Sequence, residues 1–242
     1  MEKVIRSRGL RIFLQEGKCS VQEKIYYEPD RNCQVNNIAI SELMNDGIIS
    51  LFEYSMVNKK IDTYNFHVNL TNENYIKLYE NLPREVMGEF NKVRQNFGES
   101  FRNYTVGYRL NETGVINRCY YFYPTIWKED RYGIKGVTNH EKIIYNLVGF
   151  SDKIIKGDEK IQKEIYEFAS ILYKFKGVSI HVSEQINGYK LYGRVKAEQL
   201  KKYISEKSGY DISKNSQYGD AVLVALRIKE NAVAGYNIYY LS

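Results

Sequence analysis

Asn187-Gly188-Tyr189-Lys190-Leu191-Tyr192-Gly193-Arg194-Val195-Lys196 follows directly on Val178-Ser179-Ile180-His181-Val182-Ser183-Glu184-Gln185. Asn-Gly between two alternating runs is a strong hairpin signal, because both turn positions tolerate the left-handed backbone that a tight hairpin needs. Side chains of a strand alternate between its faces. Lys190, Tyr192 and Arg194 therefore share one face, and Leu191, Gly193 and Val195 share the other. A face reading cation, aromatic, cation is unusual for a core strand. It is either a solvated face or a face that takes an anionic, partly apolar ligand.

Three more hairpins flank this one in the sequence. Ile48–Met56 and Ile61–Leu70 are joined across Val57-Asn58-Lys59-Lys60. Tyr104–Leu110 and Val115–Tyr123 are joined across Asn111-Glu112-Thr113-Gly114, and Pro124, which cannot donate to a ladder, ends the second strand. Residues 221–228 and 233–241 form the last. Helices are expected between them: 38–45, 71–82, a second from Pro83 to about Phe97, 139–149, 157–175 and 197–207. Residues 2–16 read as an amphipathic helix, 19–37 as loop and 126–137 as irregular. Sequential hairpins make an antiparallel sheet, and helices inserted between them cover one of its faces. The other face is enclosed if the sheet curls. The expected fold class is α+β, an antiparallel β-barrel built from successive hairpins with helices outside, in a single domain spanning 1–242. An open sheet with one solvated face is the alternative.

Composition narrows the function classes. The 242 residues carry a net charge of +6 and 23 tyrosines. The sequence pI of about 8.9 permits an anionic ligand and falls short of a nucleic-acid-binding extreme. Tyrosine joins an apolar ring to a polar handle, which suits the wall of a wet cavity. Part of the excess matches a general bias toward Tyr, Lys, Ile and Asn. Cys19, Cys33 and Cys119 are too scattered for a disulfide framework or a zinc site, and His67, His140 and His181 lack metal-ligand spacing. His67 and His181 read as polar strand positions rather than catalytic bases. Glu184 and Glu230 read as solvated turn residues, Trp127 as core or rim, and the charges of 153–163 as an exposed face. No apolar run is long enough for a membrane span and no signal-peptide core is visible, so a cytoplasmic location is expected.

The strand pattern of Lys190 repeats elsewhere. Arg118, Tyr120 and Phe122 share a face in Arg118-Cys119-Tyr120-Tyr121-Phe122-Tyr123-Pro124-Thr125. Phe52 alternates with Tyr54, and Asn65 with His67 and Asn69. Tyr236, Ile238 and Tyr240 alternate opposite a strand carrying Arg227 and Lys229. Cations beside tyrosines suit the diphosphate ester of an apolar chain. The diphosphate needs several Lys or Arg, or a metal. Ionising an allylic carbon–oxygen bond creates a carbocation, which aromatic faces stabilise by about 0.5–2 kcal/mol each. The same residues would also fit a nucleotide or another phosphorylated aromatic.

The chain resembles the ABBA-fold (PT-barrel) aromatic prenyltransferases of bacteria, a family whose ten-stranded antiparallel barrel carries its helices outside. Three colinear stretches bear the resemblance: Tyr54-Ser55-Met56 through Tyr64-Asn65-Phe66-His67-Val68, Gly114 through Thr125, and Tyr189-Lys190-Leu191-Tyr192. They span about 48–200. The resemblance implies transfer of a dimethylallyl or geranyl group from its diphosphate to an electron-rich aromatic acceptor, a small molecule or a peptide. It implies diphosphate binding by Arg118 and Lys190 and prenyl shielding by Tyr120 and Tyr192. Arg194 joins the diphosphate group from its strand face. Arg227 is added to the same group, and Tyr236 and Tyr240 to the shield, from the last hairpin. No catalytic nucleophile is required, since the acceptor ring attacks.

Two departures qualify the resemblance. Magnesium-dependent members place an Asp where this chain has Asn65, so no metal cofactor is expected. The family also has a fifth hairpin, whereas four are read here. Residues 1–40, around Lys24–Tyr27, supply the missing strands, or the barrel stays open and pairs edge to edge as a homodimer. Other readings are a non-catalytic isoprenoid-binding module of the same fold and a nucleic-acid-binding protein, in which a basic aromatic sheet stacks bases. Neither a nucleic-acid nor a membrane partner is expected.

Overall fold

A computed structural model describes residues 5–15, 18–27, 47–70, 84, 87, 88, 91, 101–111, 114–124, 158–182, 188–215, 221–230 and 232–241. Ten strands run through it: β1 (Ile5–Gln15), β2 (Lys18–Tyr27), β3 (Gly47–Val57), β4 (Lys60–Leu70), β5 (Phe101–Asn111), β6 (Gly114–Pro124), β7 (Leu172–Val182), β8 (Gly188–Lys196), β9 (Ala221–Lys229) and β10 (Ala232–Leu241). Each pairs antiparallel with its sequence neighbour, and β1 also pairs with β10 from Ser7↔Leu241 to Phe13↔Gly235, which closes the ring. Among the described residues, two α-helices are complete, α1 (Glu159–Ser170) and α2 (Ala197–Ser208).

Four hairpins fall where the sequence places them. The β3–β4 turn narrows to Asn58 and Lys59, both at positive φ (51° and 64°), the backbone of a tight two-residue hairpin. The fifth hairpin is the correction. Within 2–16, read as a helix, residues 5–15 form β1, and within 19–37, read as loop, residues 19–27 belong to β2; the rest of both stretches lies outside the described residues. In β1, Leu10 and Ile12 are buried on one face while Arg11 and Phe13 stand on the other. Apolar residues on both faces of a strand blur its period of two into something helix-like. Every described strand is flanked by two others, so a homodimer through an open sheet edge has no such edge here to use. The helix expected at 157–175 stops at Ser170, and Leu172 opens β7. The helices expected at 38–45, 71–82 and 139–149 and the irregular stretch 126–137 lie outside the described residues. Of the helix expected from Pro83, Arg84, Met87, Gly88 and Asn91 are described and are helical.

The helices show which face of the ring is outside. Asp158 caps α1 by accepting from the Ile161 N–H at 3.1 Å. Gly209, left-handed at φ 67°, ends α2. Lys207 of α2 bridges to Glu164 at 2.9 Å and to Glu167 of α1. Ile161, Ile165 and Phe168 of α1 and Leu200, Tyr203 and Ile204 of α2 are buried with Leu191, Val195, Val224, Leu226, Tyr236 and Ile238 of the sheet. Burying each such chain contributes about 1.5–3 kcal/mol. Tyr236 lies edge-on to Tyr203 of α2, centroids 5.7 Å apart and hydroxyls 3.4 Å apart. The helices thus cover the Leu191–Tyr236 face, and the alternate face lines the lumen.

Two glycines shape that lumen. Gly235 sits at a register shift with φ 127°, and a Cβ there would lie 1.9 Å from the Ile12 carbonyl oxygen. It separates Phe13 of β1 from Arg227 of β9 across the sheet. With no side chain between them, Arg227 lies 5.1 Å over the Phe13 ring. Gly9 likewise pairs with Tyr239, and the Tyr26 and Tyr239 rings meet above it at 5.5 Å.

Candidate functional site in the barrel lumen

The strand register assembles the interior one row at a time, because directly paired residues share a face. One row runs Lys190–Arg227–Gly235–Phe13, the next Tyr192–Ala225–Asn237–Arg11, and a third Arg194–Leu223–Tyr239–Gly9–Lys24. Lys190 and Arg227 therefore face each other on adjoining strands, and Arg11 stands on the same wall, on β1 beyond β10. Phe13 takes both guanidiniums over its ring, with Arg11 at 5.8 Å. Tyr192, Tyr239 and Tyr26 form a chain of rings beside them, with centroids 6.3 and 5.5 Å apart. Arg194 keeps the same face as Lys190 but stands four residues, about 13 Å, along the strand.

Beyond β1 the wall continues through β2, β3 and β4 as a polar cluster. Glu53 of β3, 6% exposed, accepts from Lys24, from Asn65 Nδ2 at 2.9 Å and from Ser55 Oγ at 3.3 Å, and Arg11 approaches it to 3.9 Å. Lys24 is 1% exposed, so this is a buried pair at the base of a cation-rich wall. Asn65, which stands where the resemblance implies a magnesium-binding Asp, spends its amide on Glu53. Among the described residues, the Nε atoms of Arg11 and Arg194 and the Thr63 hydroxyl are buried without a hydrogen-bond partner. Buried donors in that condition are costly unless a bound group accepts from them.

The charge imbalance shows in the titration of the lumen. Burial, followed by the Arg11 and Arg227 guanidiniums, holds the Lys190 amine well below the usual lysine range. Burial, then Lys190, Lys24 and Arg11, lowers His67 to about 3. Burial and Tyr239 raise the Tyr26 hydroxyl, so it stays a neutral phenol. For His67 the sign is definite. Below its ordinary value of about 6.5 the unfolded chain takes up a proton that the folded chain refuses until about 3. Stability is therefore fully present above pH 6.5 and falls as pH drops toward 3. Replacing His67 by Gln flattens this decline, and acid-titrated urea melts will show a gain over the native chain of about 1–2 kcal/mol at pH 5, relative to pH 8.

Four of the eight residues singled out in the sequence stand on other faces or carry other roles. Lys190, Arg194, Arg227 and Tyr192 face the lumen. Tyr236 and Tyr240 do not: they alternate with the lumen positions Asn237 and Tyr239, and Tyr236 is packed on Tyr203 with its hydroxyl pushed up to about 12 by burial. Positions 118 and 120 alternate with Cys119. Position 119 pairs with Gly107, which pairs with the lumen residue His67, so Arg118 and Tyr120 fall in the rows of the outward face. The residues missed are Arg11, Phe13, Lys24 and Tyr26 of the N-terminal hairpin, a hairpin the sequence offered as one of two ways to complete the sheet, and Tyr239. Tyr239 was within reach of the sequence, since its face also carries Gly235 and Asn237 while the Tyr236 face carries Ile238.

No protein-family model matches the sequence, and no curated protein matches it. No helix among the described residues is long and apolar enough to cross a membrane.

Proposed function

We propose that the lumen binds an allylic diphosphate and that the chain is an aromatic prenyltransferase of the ABBA, PT-barrel type. What carries the reading is the convergence of Lys190, Arg227 and Arg11 with Tyr26, Tyr192 and Tyr239 inside one antiparallel ring that carries its described helices outside. The diphosphate lies against Lys190, Arg227 and Arg11, where guanidinium forks suit its oxygens. The prenyl chain runs along the tyrosine rings. Heterolysis of the allylic carbon–oxygen bond leaves diphosphate on the cations and an allyl cation over the ring faces. A π-bond carbon of the aromatic acceptor then attacks, a carbon–carbon bond forms, and the ring proton passes to water, which restores aromaticity. Lys and Arg supply the positive charge that a divalent metal supplies elsewhere, so the reaction proceeds without added metal.

Dimethylallyl and geranyl thiolodiphosphates, which bind but resist ionisation, test the first half by titration calorimetry. Micromolar binding that survives EDTA is expected. The natural diphosphates, incubated with a panel of phenols and indoles in EDTA, test the second half by mass spectrometry of the acceptor. Absence of binding to either donor, with or without Mg²⁺, would overturn the reading. Binding without a product on any acceptor would leave a non-catalytic isoprenoid-diphosphate module.

A further inference from the structure

One aromatic ring on the cation wall meets two guanidiniums. Phe13 lies on the lumen face of β1, and Arg11 lies two residues back on the same face. Across β10, Gly235 separates Phe13 from Arg227 of β9. A Cβ at Gly235 would lie 1.9 Å from the Ile12 carbonyl oxygen, so nothing larger than glycine fits between them. Arg227 accordingly reaches the ring at 5.1 Å and Arg11 at 5.8 Å, both within the range of a cation–π contact. A guanidinium is planar and carries five N–H donors in a fixed fork. Attraction to a ring acts on its charge and its face, and leaves those donors for an acceptor. An ion pair would spend them. Glu53 approaches Arg11 only to 3.9 Å while it accepts from Lys24, Asn65 and Ser55. Arg11 Nε is buried without a hydrogen-bond partner. One apolar side chain thus restrains two cations without taking a single N–H from either.

From this geometry we infer that Phe13 is a positioning residue of the anion site: it holds Arg11 and Arg227 at a fixed spacing, two forks for the two phosphoryl groups of one diphosphate. The inference rests on the anion-binding half of the proposed function and adds to it selection of a diphosphate over a monophosphate. Each phosphoryl group suits one bidentate fork. A long cationic side chain loose in the lumen must be ordered when an anion arrives, and that ordering subtracts from affinity. Phe13 orders both chains beforehand. The two guanidiniums also repel each other, and the negative face of the ring offsets part of that repulsion. A ligand with one phosphoryl group gains from one fork, whereas a ligand with two gains from the spacing between them. Phe13 does not bind the anion; it acts through the two arginines.

The probes are geranyl thiolodiphosphate and geranyl monophosphate, titrated by calorimetry in EDTA. The native chain is expected to favour the diphosphate about 100-fold. Phe13→Leu keeps an apolar side chain and removes the ring. It is expected to weaken the thiolodiphosphate about tenfold and the monophosphate no more than about twofold. Phe13→Tyr keeps the ring and is expected to stay within about twofold of the native chain for both probes. Beside Arg227→Met, where one cation is gone, Phe13→Leu is expected to cost the thiolodiphosphate no more than about threefold. Equal weakening of both probes by Phe13→Leu would reduce Phe13 to a packing residue and overturn the inference. So would a Phe13→Tyr chain that binds like Phe13→Leu, a full tenfold loss that persists beside Arg227→Met, or equal affinity of the native chain for the two probes. Each of those results leaves diphosphate binding by the native chain, and with it the prenyltransferase reading, intact. A native chain that binds neither probe would overturn the anion site on which both rest.

Discussion

Arg227→Met will raise the dissociation constant for geranyl thiolodiphosphate about 100-fold, equivalent to about 3 kcal/mol. Arg227 sits opposite Lys190 and over Phe13, at the centre of the cation wall. A charge-assisted contact inside a low-dielectric lumen carries more energy than one on the surface, and truncating one partner of such a contact costs 2–5 kcal/mol in known interfaces. Methionine keeps much of the side-chain length over Phe13 while removing the charge. Stability should move the other way. In the unliganded protein the substitution deletes a like-charge neighbour of Lys190, so the thermal midpoint is expected to stay level or rise. Weakened binding beside undiminished stability is the mark of a cation kept for a ligand. A structural cation would lose both together, and calorimetry with a thermal scan on the same preparation reads the two.

The second large effect concerns Glu53. Glu53→Gln leaves Lys24, 1% exposed, without its carboxylate and removes the negative charge that Arg11 approaches. Breaking one side of a buried pair destabilises by roughly 3–5 kcal/mol, because the remaining charge stays desolvated with its carboxylate gone. In a chain of this length that lowers the thermal midpoint by about 10 °C. The deficit is specific in kind. A bound dianion supplies the lost negative charge, so saturating thiolodiphosphate is expected to raise the midpoint of Glu53→Gln more than that of the native chain. Equal ligand-induced shifts would separate Glu53 from the anion site.

Much of the architecture was legible in the residues. Lys190-x-Tyr192-x-Arg194 against Leu191-x-Gly193-x-Val195 is a two-faced strand, and the structure turns those faces as the alternation requires. Sequential hairpins with intervening helices led to an antiparallel sheet with its helices on one side. The N-terminal hairpin entered only as one of two alternatives, with 2–16 read as a helix, because its lumen face carries Phe13 and Tyr26 among charges and neither face of β1 or β2 looks purely polar. Faces were misjudged where aromatics occur on both. In Tyr120-Tyr121-Phe122-Tyr123 either register gives an aromatic wall, and only pairing through Gly107 to His67 decides between them. The same ambiguity attached Tyr236 and Tyr240 to the shield, although a Tyr–Ile–Tyr face is the more apolar one and packs on the helices. Gly9 and Gly235 mark the lumen more reliably than the tyrosines. Each opens the room in which two larger side chains meet, a consequence of cross-strand register that a single strand does not display.

The most direct measurement is a crystal structure of the chain with geranyl thiolodiphosphate, grown in EDTA. The diphosphate is expected within hydrogen-bonding distance of Lys190, Arg227 and Arg11, with the prenyl chain along Tyr26, Tyr239 and Tyr192. Ligand bound on the outward face that carries positions 118 and 120, or a lumen left without it at saturating concentration, would contradict the assignment of this interior as a prenyl-diphosphate site.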